Sequence, residues 1–197
     1  MGIAGGTGSG KSWLTEQLVK QLRGRAAVIQ MDWYYRDRSG IRGKARLNLN
    51  FDHPGAIETP LLVSHLRQLL RGAAVDTPRY DYATHSRSKR SVAVAPKSVI
   101  IVEGLFVLHE ASVRKWIDYG VFIDVPADER LILRLKRDHW ARNLNVFETL
   151  RLYENFARPM HDKFVQPSAK KADEIWAGLP TRKRLLKLSA RLKKRLK

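Results

Sequence analysis

"GIAGGTGSGKSWL", Gly2 to Leu14, is the stretch on which the fold turns. Gly5, Gly10, Lys11 and Ser12 in it satisfy the spacing G-x-x-x-x-G-K-[ST]. Glycines let a backbone turn its N–H groups inward around phosphate oxygens. A helix starting at the lysine adds the positive end of its dipole. Gly5, Gly6, Thr7, Gly8, Ser9, Gly10, Lys11, Ser12 and Trp13 are therefore the expected contacts to a nucleoside triphosphate, with Lys11 on the β- and γ-phosphates and Ser12 on Mg²⁺. Such a loop joins a strand to a helix. Met1–Ala4 is the only strand material ahead of it, roughly 13 Å of chain at about 3.3 Å per residue. The expectation is a stubby first strand or a start codon placed too late.

Working outward, apolar runs alternate with helical patterns. "AAVIQM" (Ala26–Met31), "SVIIVEG" (Ser98–Gly104) and "YGVFIDV" (Tyr119–Val125) lack the strict alternation of half-exposed strands, so they read as strands buried on both faces, and "DEIWA" (Asp173–Ala177) is a weaker candidate. Helical patterns cover Ser12–Arg23, "PLLVSHLRQLLRG" from Pro60 to Gly72, the residues after Pro126, and "VFETLRLYENFARPMHDKF", where Pro159 is expected to kink or break the helix. Strands alternating with helices predict a parallel α/β sheet. Arg79–Pro96 differs: "RYDY" and "SVAVA" flank a polar turn, which reads as a small projecting hairpin.

The chain has 197 residues, no cysteine and a formal charge of +18. This suits one domain with a substantial core and excludes disulfides and thiolate metal sites. With no membrane-length apolar run and no signal-peptide pattern, a cytoplasmic protein is the expectation. Nine of the 37 Lys/Arg and none of the 19 Asp/Glu lie in 180–197, leaving 28 basic against 19 acidic residues, a net +9, elsewhere. A basic body suits anionic ligands.

Two acids end strand patterns, where an α/β sheet faces its ligand crevice. Asp32 closes "VIQMD" and is placed to orient or deprotonate an acceptor hydroxyl; Glu103 closes "VIIVE" and is placed to hold Mg²⁺ or its water. The alternative for each is a capping or salt-bridging acid.

"GGTGSGKS", "QMDWYYRD", "NFDHPGAIE", "RYDYATHSR" and "VEGLF", in this order and spacing, resemble the uridine–cytidine kinases of the phosphoribulokinase/uridine kinase family from Gly2 to about Ala177. The resemblance implies a P-loop kinase fold with a five-stranded parallel sheet in the order 2-3-1-4-5, a hairpin at about 79–96 and a helical lid at about 134–146. It implies a kinase domain over 1–179, with 180–197 as a basic amphipathic tail. It implies ATP-dependent phosphorylation of a nucleoside 5′-hydroxyl, with uridine or cytidine giving UMP or CMP in pyrimidine salvage. In that reading Asp32 is the base, Lys11 and the loop amides hold ATP, and Ser12 and Glu103 organise Mg²⁺. Asp52 takes ribose hydroxyls, and Tyr80, Tyr82 and His85 cradle the pyrimidine. Arg134, Arg137 and Arg142 face the phosphates; a planar cation there stabilises transition-state charge. A solvated basic face is the alternative for at least one of Arg130, Lys136 and Arg137.

The match departs in places. Arg142-Asn143-Leu144 stands where the family writes R-G-R, Leu152 stands about where a polar contact is usual, and Trp13 and Trp33 replace smaller residues, Trp33 beside Asp32 where it can reshape the acceptor pocket. These leave open another small alcohol as acceptor, in the manner of phosphoribulokinase, pantothenate kinase or glycerate kinase. Two further readings are an ATP-switched nucleic-acid-binding protein, favoured by charge, and a non-catalytic binding module. The family is often oligomeric, but no interface is legible. In the tail, Leu185, Leu188, Leu192 and Leu196 form one helix stripe. Docking of that stripe on the core is the favoured reading over nucleic acid or an anionic membrane.

Overall fold

The computed structural model describes residues 1–41, 49–82, 84 and 86–196. Its centre is a five-stranded parallel sheet of β1 (Gly2–Gly5), β2 (Ala26–Gln30), β7 (Val99–Glu103), β8 (Gly120–Asp124) and β9 (Glu174–Ala177). The spatial order is β2-β7-β1-β8-β9. Counting only these strands along the chain, that is 2-3-1-4-5, as the resemblance implied. β1 has four residues against five in each neighbour, and its partners β7 and β8 flank it on both sides.

Successive residues of the inner strands feed opposite faces. Ala4, Ile29, Val102 and Phe122 join one apolar cluster, and Ile3, Ile101, Val121 and Ile123 join the other. Both faces are thus covered, which explains the unbroken apolar runs. The first cluster packs against α2 (Thr59–Leu70) through Leu62, Leu66 and Leu69. The second packs against α1 (Lys11–Leu22) through Leu14, Leu18 and Leu22. Leu185, Leu188 and Leu192 of the last helix, Arg182–Arg195, are buried in that same second cluster with Trp176. The segment set apart as a tail therefore closes the core behind α1, and each leucine contributes about 1.5–3 kcal/mol of burial. No helix among the described residues is long and apolar enough to cross a membrane.

Register places the chemistry. β2 and β7 pair Gln30 with Glu103, and β1 and β7 pair Ile3 with Glu103. The carboxyl ends of three adjacent strands thus arrive together, carrying the glycine loop, Glu103 and the residues after Gln30. β2 stops at Gln30, two residues earlier than the "VIQMD" run suggested; Asp32 lies in a tight 3₁₀ turn, Met31–Tyr34, whose Met31 is buried against Gly104.

Between α2 and β7 the chain makes two short antiparallel ladders. β3 (Val75–Thr77) pairs with β6 (Val92–Val94), and β4 (Tyr80–Asp81) pairs with β5 (Ser86–Arg87). Arg87 fastens this projection to the body. It donates to the carbonyls of Tyr35 at 2.9 Å and Tyr34 at 3.2 Å, and lies 2.6 Å from Glu58.

After α3 (Ala111–Arg114) and β8 come α4 (Ala127–Arg142) and α5 (Val146–Leu152). Asn143 ends α4 at φ 53°, a left-handed position where asparagine is the usual substitute for glycine. Asn145 and Glu148 then form a reciprocal capping box that starts α5. Pro159 does not break the helix that follows. The backbone widens into π turns at Tyr153–Ala157 and His161–Val165 on either side of it, and i→i+5 bonding tolerates the missing proline N–H. The final helix is α6 (Arg182–Arg195), capped by Thr181.

Candidate active site

At the carboxyl edge of the sheet lies a cavity of about 680 Å³. Its floor is Thr7, Gly8, Ser9, Gly10, Lys11, Ser12 and Trp13. Gly8 and Gly10 have φ of 75° and 83°, where a side chain is strained. Their bareness also serves packing: a Cβ on Gly8 would meet the Arg130 carbonyl at 2.3 Å, and one on Gly10 would meet Pro180 at 3.0 Å. α1 has no capping side chain and no acid in its first turn. Its first amides and the positive dipole end are left for an anion.

Lys11 donates to the Gly6 carbonyl at 2.8 Å. Burial lowers its pKa, and Glu103 and Asp32 oppose that shift. Ser12 donates to Glu103 at 3.0 Å. Burial raises the Glu103 carboxyl, with Lys11 pulling the other way. Ser12, Glu103 and nearby Asp32 are hard oxygen donors around one phosphate floor, a set that fits Mg²⁺.

The walls are made by Asp32, Asp52, Tyr82, Arg134, Arg137 and Arg142, with Tyr35, Phe51 and Leu105 between them. Burial raises the Asp52 carboxyl, and Arg134, 3.6 Å away, counters it. Burial also raises the Tyr82 hydroxyl, and the Arg142 guanidinium lies 4.3 Å over its ring. Tyr80 does not reach the cavity. It is buried beneath, 5.3 Å from Tyr35 and 5.5 Å from Tyr82 between ring centroids. Gly5 and Gly6 also stay below the lining, where Gly6 is packed on the Arg130 guanidinium. His85 lies outside the described residues. Of the departures from the family pattern, Trp33 turns from the cavity and carries Arg79 on its ring at 3.6 Å, Trp13 lies in the floor, and Leu144 and Leu152 line the wall.

Arg130 is not on a solvated face. It is buried, donates to Val125 at 3.0 Å and supports the phosphate loop from behind. The sequence reading also missed Asp138, which is wholly buried. It receives Arg137 at 2.8 Å, Arg134 at 3.3 Å and Arg142 at 3.6 Å. Its spacing was a readable signal, since Asp138 stands four residues from both Arg134 and Arg142 on one helical face.

The model of the Phosphoribulokinase / Uridine kinase family matches residues 1–184. This chain belongs to that family. Uridine kinases of Staphylococcus haemolyticus (strain JCSC1435) and Staphylococcus aureus (strain JH9) are each 42% identical over 176 residues, covering 89% of this chain and 85% of theirs. Among solved structures, phosphoribulokinase from Rhodobacter spheroides superposes with a TM-score of 0.63 at 15% identity, covering 89% of this chain and 68% of that one. D-glycerate 3-kinase from Cryptococcus neoformans var. grubii gives 0.63 at 19%, covering 89% and 81%. These two support the fold. As a family member the chain is a phosphotransferase with an alcohol acceptor, and its cavity has a phosphate floor and a carboxylate wall in one enclosure.

Proposed function

We propose that this chain transfers the γ-phosphoryl group of ATP to the 5′-hydroxyl of uridine or cytidine. One observation carries the reading: two carboxylates, Asp32 and Asp52, share a cavity with Lys11 and the phosphate loop. A hydrolase needs only water there, whereas a nucleoside kinase needs a base and a ribose clamp. The 42% identity to uridine kinases supports the choice of acceptor.

Asp32 accepts the proton of the 5′-hydroxyl as its oxygen attacks the γ-phosphorus in line, and ADP leaves with the electron pair of the broken P–O bond. Lys11 and the α1 amides hold the phosphates, and Arg137 and Arg142, on a lid at about 134–146, stabilise the transferring group. Asp52 accepts the ribose hydroxyls, and Tyr82, with Arg142 stacked on it, provides a flat face for the base. Ser12 and Glu103 would hold Mg²⁺, which would neutralise phosphate charge. Positioning and charge stabilisation account for the rate.

The test is ADP release with uridine, cytidine, purine nucleosides, pantothenate and glycerate as acceptors. Uridine or cytidine should give the highest kcat/KM. Turnover with pantothenate or glycerate alone would replace the nucleoside reading, and Leu144 and Leu152 on the wall favour keeping those acceptors in the panel.

A further inference from the structure

We propose that Asp138 is a positioning residue that couples the two substrate sites, so that a bound nucleoside tightens nucleotide binding and the reverse. This rests on the donor and acceptor assignment above. The argument begins with the two oxygens of one buried carboxylate. Oδ1 takes Arg137, through Nε at 2.9 Å and Nη2 at 2.8 Å, and has Arg142 at 3.6 Å. Oδ2 faces Arg134 Nε at 3.3 Å. The other end of Arg134 lies 3.6 Å from Asp52 Oδ2. An unbroken chain of charges thus runs from Asp52, the ribose clamp, through Arg134 and Asp138 to Arg137 and Arg142 on the phosphate side.

Three guanidinium groups share one buried carboxylate, leaving unmatched positive charge that a phosphate suits. Arg137 and Arg142 are the more exposed members, with side-chain exposures of 40% and 26%, against 6% for Arg134. A γ-phosphate therefore recruits those two first. Their departure leaves the Asp138 charge to Arg134 alone and draws Arg134 from Asp52. Asp52 then becomes a stronger acceptor for ribose hydroxyls. The sign is positive coupling, and linkage makes it reciprocal.

The experiment is calorimetric binding of a non-hydrolysable ATP analogue with Mg²⁺, with and without a saturating acceptor that the turnover panel has identified. Wild-type protein should bind the analogue at least 5-fold more tightly with acceptor present, and the acceptor affinity should rise by the same factor with analogue present. Asp138→Asn should reduce both factors below 2-fold. Asp138→Glu, which keeps the charge, should retain at least half of the coupling in free-energy terms. A structural role alone lowers both affinities and leaves their ratio unchanged. Absence of coupling in the wild-type protein overturns the proposal whether or not the variants fold, and so does full coupling in Asp138→Asn. Nucleoside turnover without coupling sinks only this inference; turnover solely with a non-nucleoside alcohol sinks the nucleoside assignment instead.

Discussion

In the proposed reading, the donor floor and the arginine wall of this cavity hold phosphate charge by different means. The floor is one stretch of backbone, Thr7 to Trp13, with φ values near 75° and 83° at two glycines and a helix end beneath it. The wall is made of side chains from distant segments, Asp52 and α4, tied by ion pairs to buried Asp138. A backbone cradle does not depend on any single side chain. The arginine wall hangs on one carboxylate. The floor should therefore tolerate changes that the wall does not, except where a floor side chain does chemistry of its own.

The sharpest break of that comparison is at Asp32, a wall residue outside the ion pairs of Asp138. Asp32→Asn should lower kcat by about 10³-fold, within the range of general-base catalysis, while the affinity for an ATP analogue changes little. Single-turnover kinetics with a separate binding measurement checks it. Unchanged turnover would remove Asp32 as the base.

Next in size is a change behind the floor. Leu188→Ala on α6 empties a buried site against Leu14, Leu18 and Trp176 and should cost about 2–4 kcal/mol in denaturant unfolding. Leu186→Ala, 46% exposed on the same helix, should stay within roughly 0.5 kcal/mol. Equal effects would mean that the helix does not dock as described.

Ser12→Ala removes the one floor hydroxyl bonded to Glu103. It should reduce kcat by about 10- to 100-fold and raise the Mg²⁺ concentration for half-maximal rate, as loss of a metal-ordering hydrogen bond does. A fall in rate with no shift in Mg²⁺ dependence would assign Ser12 to the loop alone.

The floor was legible in the sequence because its signal is contiguous: spacing, glycine and a helix pattern lie within thirteen residues. The strand order needed the resemblance, since periodicity reveals buried strands but not their neighbours. Asp138 was missed because its importance comes from burial, and the spacing that places it among three arginines also describes an ordinary solvated helix face. Of the three cations weighed for a solvated face, Lys136 and Arg137 are exposed, whereas the burial of Arg130 was not legible, since its neighbours Gly6 and Gly8 lie far off in sequence. Tyr80 and Tyr82, two residues apart, would share a face of a regular strand, but β4 ends at Asp81 and Tyr82 lies in the turn beyond it, so the two rings part: the aromatic cluster of Tyr35 and Phe51 claims Tyr80. Pro159 was expected to kink or break its helix; the break does not occur, and the π turns that absorb the proline leave no signature in residue spacing.

The smallest effect tests what lies behind both parts. His161, in the second π turn, is buried, bonds Gln166 at 3.0 Å and feels the Arg130 guanidinium that supports Gly6. Burial first, then Arg130, lowers its pKa to about 4. The folded protein thus keeps His161 neutral while the unfolded chain protonates near pH 6.5. Between those values the unfolded state binds more protons, so this contribution to stability is complete above about pH 6.5 and is lost as pH falls toward 4. The loss should reach about 1 kcal/mol near pH 5.5. His161→Gln, neutral throughout, should flatten the decline in Tm between pH 7 and pH 5 relative to wild type. An unchanged slope would mean that His161 does not carry the acid sensitivity. The buried carboxylates Glu103 and Asp52, raised by burial, act with the opposite sign: they bind more protons folded than unfolded, so their protonation favours the folded state as pH falls while it removes charges that the proposed reaction needs. Activity should therefore fall on acidification before the fold does, and the interval between the two curves separates the chemistry of the cavity from the support beneath it.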